Sequence, residues 1–337
     1  MKNLISFQDK IFNLTKFHYK NSLNYKNIIN NLNQKDFKKE ISLIPFLPAK
    51  LFKVLTLRSI PETKIFKILK SSGTSGGSPS IIYLDKENAQ KQTIALSKIM
   101  QPVLGKYRIP MLIVDSKPEK INQRSFDAKR AAVIGFSTFG KNYTYLLNSK
   151  KEIDYKVLNN FLKDNQSQDF LIFGFTSAIY SCFYNNINFK NVIGNFKNGI
   201  VLHGGGWKKM NQIKVSNQLF KKNLFLKNKF KKIINYYGLI EQTGSIFIEC
   251  QKCLCFNTNE FSEILIRDKN FNIIKNGQKG YIQLLSLLPK SYPGHSILTE
   301  DVGEIVKNKR CSCQSLGKQF LVHGRVENSE IRGCSDV

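Results

Sequence analysis

Eight consecutive residues, Ser71-Ser72-Gly73-Thr74-Ser75-Gly76-Gly77-Ser78, combine five hydroxyls with three glycines in a chain of 337 residues. Glycine lets backbone amides converge on one point and the hydroxyls add donors, so the loop suits the triphosphate of a nucleotide. The candidate phosphate contacts are Ser72, Gly73, Thr74, Ser75, Gly76 and Gly77. This is not a Walker A loop, which needs a Gly-Lys-Ser/Thr ending that opens a helix; no lysine stands in that place. Two tight thiol clusters, Cys250-x2-Cys253-x-Cys255 and Cys311-x-Cys313, offer enough sulfur to ligate a structural zinc once folding brings a hairpin against a loop. The alternative is a set of buried or idle thiols. Cys182 lies in an apolar run and reads as core.

The segment Gly73 to Gly77 also satisfies Gly-x-Ser-x-Gly, and His203-Gly204-Gly205-Gly206 looks like the oxyanion segment of a hydrolase. That chemistry needs a strand before the serine, a helix after it and the oxyanion segment upstream. Here apolar, strand-like runs stand on both sides, at Ile65–Leu69 and Ile81–Leu84, and the histidine segment follows far downstream. Order and context both argue against a hydrolase. His203 either orients a carboxylate or phosphate or caps a strand. His295 and His323 lie near other candidate residues in sequence only, and His18 is expected on a helix surface.

The elements that must position these residues follow the rhythm of a layered α/β protein. Short apolar runs recur at Ile65–Leu69, Ile81–Leu84, Pro110–Val114, Phe170–Phe175, Gly199–Leu202, Ile233–Tyr237 and Tyr281–Leu285. Several are separated by stretches long enough for a helix, such as Lys86–Met100 and Trp207–Phe230. The Lys-rich stretch within the second of these, with Leu219, Phe220, Leu224 and Phe225, is expected to form a helix with one solvated basic face. Residues 1–45 read as two or three helices packed on the body, and Pro45 and Pro48 favour an extended turn after them.

Hydrophobic residues make up 42% of the chain, with 25 Phe and 13 Tyr, which excludes a disordered, collagen-like or low-complexity protein. The net charge of +28 is spread as lysine among abundant Asn and Ile, the pattern of an AT-rich coding bias, so no nucleic-acid partner is expected. Seven cysteines are too few for a disulfide framework, the N-terminal residues lack an export signal, and no run reaches the roughly 18 apolar residues of a membrane span. A cytoplasmic location is expected.

Asn235-Tyr236-Tyr237-Gly238-Leu239-Ile240-Glu241 follows a strand-like run and ends in a carboxylate. Together with the hydroxyl loop it resembles the adenylate-forming (acyl-AMP ligase) superfamily, with its Ser/Thr/Gly loop and later Asn-x-Tyr-Gly-x-Thr-Glu. The resemblance implies that Tyr237 packs on adenine, Asn235 contacts the base with Gly238 beside it, and Glu241 helps hold magnesium on ATP. An aromatic face can stack on a purine, and a carboxylate is a hard ligand for Mg2+. Ile297-Leu298-Thr299-Glu300-Asp301 looks like the family's Thr-Gly-Asp segment, which gives Asp301 to the ribose hydroxyls. Gly324-Arg325 looks like the hinge motif, which sets Arg325 near ribose or phosphate. Gly204, Gly205 and Gly206 are assigned to the same nucleotide site. Ile240 stands where threonine is usual, and the hydroxyl loop lacks its trailing lysine.

Within that superfamily, "LHGGGWKK", "YYGLIEQTGSIFIEC", "SYPGHSILTEDVG" and "GRVENSEIRGCSDV" closely resemble the acyl-protein synthetase (LuxE) family. The resemblance implies activation of a fatty acid as acyl-AMP, transfer to the protein's own cysteine at Cys334, and delivery to an acyl reductase or other acceptor. Cys334 stands nine residues beyond Arg325, with Arg332 near enough to favour its thiolate. The implied fold is the α/β large N-terminal domain of adenylate-forming enzymes with a smaller β-rich part after about residue 245. No C-terminal lid is expected after Val337. The expected organisation is a helical segment 1–45, a body 46–326 and a tail 327–337. Two alternatives stay open: a ligase with an external acceptor such as CoA, a carrier protein or an amine, and a degenerate nucleotide- or acyl-binding module.

Overall fold

The computed structural model describes residues 6–35, 37–71, 78–118, 125–206, 215–307, 311 and 317–325. Among the described residues fifteen strands run in chain order: β1 (Leu47–Pro48), β2 (Lys67–Lys70), β3 (Ile81–Leu84), β4 (Ile109–Ser116), β5 (Ser125–Asp127), β6 (Gly140–Leu147), β7 (Phe170–Phe175), β8 (Gly199–Gly204), β9 (Lys232–Tyr237), β10 (Phe247–Glu249), β11 (Phe256–Asn257), β12 (Ser262–Arg267), β13 (Gly280–Ser286), β14 (Ser296–Ile305) and β15 (Gln319–Arg325). Eleven of them form one path, β12-β13-β14-β15-β11-β10-β9-β8-β7-β4-β6, and β1 adds to β14. From β6 to β9 the pairing is parallel; from β9 to β12 it is antiparallel. A second sheet pairs β3, β2 and β5.

The central strands β7 and β8 are buried at every position. Helices cover both faces there, which is why these segments read as continuous apolar runs. Phe170 and Ile172 belong to a core with Leu158, Phe161, Phe220 and Leu224 from helices Tyr155–Asn165 and Asn217–Asn228. Leu171 and Phe173 face the opposite core, with Leu96, Met100 and Phe136 from helices Lys86–Leu104 and Ala128–Ser137. In the basic helix Asn217–Asn228 only part of the expected apolar set is used: Phe220 and Leu224 are fully buried, whereas Leu219 and Phe225 are exposed.

Local chemistry starts the helices where they start. Ser6, Asp85, Asp127, Asp154 and Ser216 each accept a hydrogen bond from the backbone N–H three residues on, an N-cap that satisfies one orphan donor. The helix Lys86–Leu104 tolerates Pro102 in its last turn and stops at Gly105, whose φ of 84° suits glycine. Among the described residues no helix is long and apolar enough to cross a membrane.

His18, expected on a helix surface, is fully buried. Its Nε2 donates to the Pro289 carbonyl at 3.0 Å, so Nδ1 accepts from the Ser59 hydroxyl at 2.7 Å. Its ring stacks on His295, centroids 4.7 Å apart, and Thr15 bonds the His295 Nε2 at 3.0 Å. The helix Phe7–Asn21 is thus seated against residues near 290 rather than resting loosely on the body.

Burial holds the His18 and His203 imidazoles down to about 3 and His295 well below its ordinary value. Such a group is neutral when folded and takes a proton near 6.5 when unfolded, so its stabilisation is present above pH ~6.5 and is lost as pH falls toward ~3. Buried Glu241, Glu249 and Asp301, raised by burial, act with the opposite sign, so the histidine effect is read as a difference. His18→Gln, which can still donate to Pro289, is expected to flatten the rise of unfolding free energy between pH 5 and 6.5 by up to about 1.4 kcal/mol per pH unit. Denaturant titrations across that range check it; parallel curves for the two proteins would contradict it.

Candidate functional site

The parallel strands β8 and β9 end side by side, and ligands of open α/β sheets bind beyond such carboxyl ends. A cavity of about 650 Å³ lies there. Asn235, Tyr237 and Gly238 line it from the end of β9, Glu241 from the 3-10 turn Ile240–Gln242, Asp301 from β14 and Arg325 from β15. The structure therefore brings together residues that the sequence spreads over about a quarter of the chain. Cα register pairs Asp301 directly with Arg325 across β14 and β15.

The Tyr237 hydroxyl donates to Asp301 Oδ2 at 2.6 Å, and the other carboxylate oxygen lies 3.6 Å from Arg325 Nε. The Tyr237 hydroxyl thereby orients the carboxylate. Its ring is braced by Phe247, Phe256 and Phe320 at centroid distances of 6.1, 5.8 and 6.2 Å. Burial and the neighbouring Asp301 hold the tyrosine hydroxyl well above its ordinary value, so it stays a donor. Burial also raises Asp301, while Tyr237 and Arg325 pull it back.

Glu241 is a buried carboxylate on the cavity wall. Burial raises its pKa, and the Ser80 hydroxyl and the Arg325 charge oppose the rise. A hard divalent cation beside this oxygen would offset the cost of burying its charge, so the donor chemistry fits Mg2+. Glu300, which sequence reasoning passed over, lies 3.8 Å from Arg325 and 3.1 Å from Lys50; Lys50 also lines the cavity. A second buried carboxylate, Glu249, is held by Lys221 at 2.5 Å and by Asn217.

Ser72–Gly77 lie outside the described residues, but the stems of their loop do not. β2 and β3 form an antiparallel hairpin, as the flanking runs imply. Ser71 N–H donates to the Ser80 carbonyl at 2.9 Å, Ser80 N–H donates to Ser71 Oγ at 2.7 Å, and both serines line the cavity. Of the triple glycine, Gly205 and Gly206 line it and Gly204 sits below. Gly205 is required twice over: its φ is 84°, and a Cβ would lie 2.5 Å from the Phe175 ring.

His203 is not on the wall. It is a fully buried residue of β8, with Nδ1 3.0 Å from the Thr176 hydroxyl, which in turn donates to the Gly204 carbonyl. His295 packs on His18, away from this group, whereas His323 does reach the rim, 3.4 Å from Glu304. Of the candidate zinc ligands, Cys250, Cys253 and Cys311 converge, with sulfurs within 4.8 Å of one another. Cys255 is buried apart from that group, donating to the Cys253 carbonyl. Cys313 and Cys334 lie outside the described residues.

A second, apolar pocket of about 170 Å³ opens beside the first. Leu96 from one helix and Ala128, Ala132 and Gly135 from another line it, and Gly205, Tyr236, Gly238 and Ile240 are common to both walls. Its small helical residues carry no motif. Only the packing of helices Lys86–Leu104 and Ala128–Ser137 against the sheet makes them a site.

The family described as acyl-protein synthetase, LuxE, matches residues 4–337. A curated relative, the long-chain-fatty-acid–luciferin-component ligase of Vibrio harveyi, is 22% identical over 327 residues, covering 95% of this chain and 84% of its own. Among solved structures, 2-hydroxyisobutyryl-CoA ligase in its thioesterification state aligns with a TM-score of 0.72 at 12% identity, over 95% of this chain and 68% of that one. Its open conformation gives 0.70 at 11%, over 95% and 74%. The amide bond synthetase McbA from Marinactinospora thermotolerans gives 0.52 at 13%, over 84% and 53%. At these identities the structural likeness is one of fold, the α/β fold of adenylate-forming ligases.

Proposed function

The chain belongs to the LuxE acyl-protein synthetase family, and we propose that it activates a fatty carboxylic acid with ATP and passes the acyl group to its own Cys334. The observation that carries this reading is the pair of joined cavities: a polar one furnished for a nucleotide and an apolar one that meets it at Gly205, Gly238 and Ile240. An acid seated in the apolar pocket would present its carboxylate at that junction.

In the first step a carboxylate oxygen attacks the α-phosphorus, an acyl–phosphate bond forms, and the bond to pyrophosphate breaks. Asp301, oriented by Tyr237, accepts from the ribose hydroxyls; Asn235 meets the base; Arg325 faces ribose or phosphate. Gly205, Gly206 and the loop Ser72–Gly77 supply donors for the phosphates, while Gly204, below them, has its carbonyl held by Thr176. Glu241 would hold Mg2+, which when bound neutralises phosphate charge. In the second step the Cys334 thiolate attacks the acyl carbonyl, a thioester forms, and AMP leaves with the electron pair. Positioning and electrostatics supply the rate, since neither step asks the protein for a redox change. The segment 1–45, the body 46–326 and the tail 327–337 then serve as support, activating site and acyl carrier, and an acyl reductase or other acceptor takes the product.

Intact-protein mass spectrometry after incubation with Mg-ATP and a series of fatty acids tests the proposal. An ATP-dependent, hydroxylamine-labile acyl adduct supports it. AMP and pyrophosphate without an adduct would point to an external acceptor, and no AMP with any acid would point to a binding module. The apolar pocket adds its own expectation. Gly135→Phe fills space now bounded by the Leu96 side chain, 3.4 Å from a Cβ at that position. Losing room for two methylenes costs long acids about 10-fold in kcat/KM, at ~0.8 kcal/mol each, and leaves short ones nearly unchanged. A uniform loss across the acid series would place the chain elsewhere.

A further inference from the structure

The convergence of three thiols has no part in acyl activation and calls for an account of its own. Cys250 follows β10 and opens a tight turn: its N–H donates to the Cys255 carbonyl at 2.8 Å, and Leu254, at φ 57°, donates to the Cys250 carbonyl at 3.0 Å. The turn brings Cys253 back beside Cys250. Inside it, Lys252 N–H donates to Cys250 Sγ at 3.3 Å, and from β15 Gln319 Nε2 donates to Cys253 Sγ at 3.6 Å. These donors would remain in place on bound thiolates; without a cation, burial pushes the Cys253 thiol up to about 11. Cys311, from the connection between β14 and β15, completes the group, its sulfur 3.7 Å from that of Cys250.

That distance excludes a disulfide and suits both an S–H···S contact and a pair of thiolates on one zinc. Thiolates bound at about 2.3 Å to a tetrahedral zinc lie about 3.8 Å apart, whereas a disulfide needs about 2.05 Å. Sulfur is also the donor that selects zinc over the hard cations.

We propose that Cys250, Cys253 and Cys311 bind a structural zinc ion that fastens the β10–β11 turn to the β14–β15 connection. Three thiols lose their protons on binding. The sequence offers Cys313 as a further thiolate, outside the described residues. The place is mechanically apt. The parallel half of the large sheet joins the antiparallel half through β10 and β11, which are three and two residues long, and β11 meets β15 only at Phe256–Phe320 and Asn257–Gln319. Leu254 and Phe256 from the same turn, and Arg325 from the same β15, line the nucleotide cavity. The ion would brace the thinnest junction of the sheet where it also forms a wall of the site.

Elemental analysis of the full chain, purified without chelators, is expected to return about one zinc per molecule. Cys182→Ala should keep it, since that thiol sits in the core; Cys250→Ser with Cys311→Ser should lose it and unfold at a lower temperature. Wild-type protein exchanged into Co2+ gives a reading that does not depend on any variant folding: a thiolate-to-cobalt charge-transfer band is expected. Less than half an equivalent of zinc with no such band, or a Cys250–Cys311 disulfide in the unreduced protein, overturns the proposal. Metal content is read without ATP or acid, so the result stands apart from the ligase reading.

Discussion

Asp301→Ala is expected to lower kcat/KM for ATP in acid-dependent pyrophosphate exchange by about two to four orders of magnitude. The carboxylate has one oxygen bonded by Tyr237 at 2.6 Å and the other 3.6 Å from Arg325, so its orientation is set before a nucleotide arrives. On the proposed ribose role, two hydrogen bonds from the diol to a charged, half-buried acceptor would contribute about 1.5–3 kcal/mol each, and alanine would remove both. It also leaves the Tyr237 hydroxyl without its acceptor. Tyr237→Phe separates the contributions: deleting only the orienting hydroxyl should cost about 1 kcal/mol, close to tenfold or less. Unfolding midpoints control for stability. An Asp301→Ala enzyme within tenfold of wild type would remove this carboxylate from the nucleotide site.

Cys334→Ser is expected to abolish the hydroxylamine-labile acyl adduct while acyl-AMP and pyrophosphate continue to form. Nine residues separate Cys334 from Arg325 on the cavity rim, a tether that spans at most about 30 Å extended, so the thiol can reach the cavity. Tethering converts an encounter into an intramolecular step, with effective molarities of roughly 10⁵ M or more when the geometry is good. Serine keeps the tether and loses the thiolate. The other thiols are poor substitutes: burial pushes Cys182 up to about 12, and Cys250, Cys253 and Cys311 are clustered with one another. Peptide mapping of the adduct decides the matter, since acylation at any cysteine other than Cys334 would sink this assignment.

Where a segment's neighbours are uniform, its sequence is easy to read. The runs at Phe170–Phe175, Gly199–Leu202 and Ile233–Tyr237 are strands buried between two helical layers, and apolarity alone reveals them. β14 carries Thr299, Glu300 and Asp301 because its middle is cavity wall, and β6, at the sheet edge, mixes Lys141, Asn142 and Tyr143 into its run. Such strands obey two environments at once and show neither pattern cleanly. Asn235, Tyr237, Glu241, Asp301 and Arg325 could be picked out by motif and order. The apolar pocket could not, because Ala128, Ala132 and Gly135 are ordinary helix residues until a second helix faces them. His18 misled for a related reason: its partners Ser59, Pro289 and His295 are distant in sequence, so a buried imidazole looked like a solvated one.

The pairing of β1 with β14, Leu47 against Ile297 and Pro48 against Leu298, has a consequence for biosynthesis. A ribosome releases the first fifty residues long before the strand that receives them. At roughly 5–20 residues per second, the intervening 250 residues take about 10–50 s. Throughout that interval Ile11 lacks Leu265 and Leu285, Tyr25 and Ile29 lack Tyr292 and Ile297, and Thr15 waits for His295. The nascent chain therefore carries an incompletely covered apolar helix for most of its translation. Slower elongation lengthens that exposure, and holdase chaperones, which protect such surfaces, should raise the yield of folded enzyme more than they would for a protein whose N-terminus pairs locally.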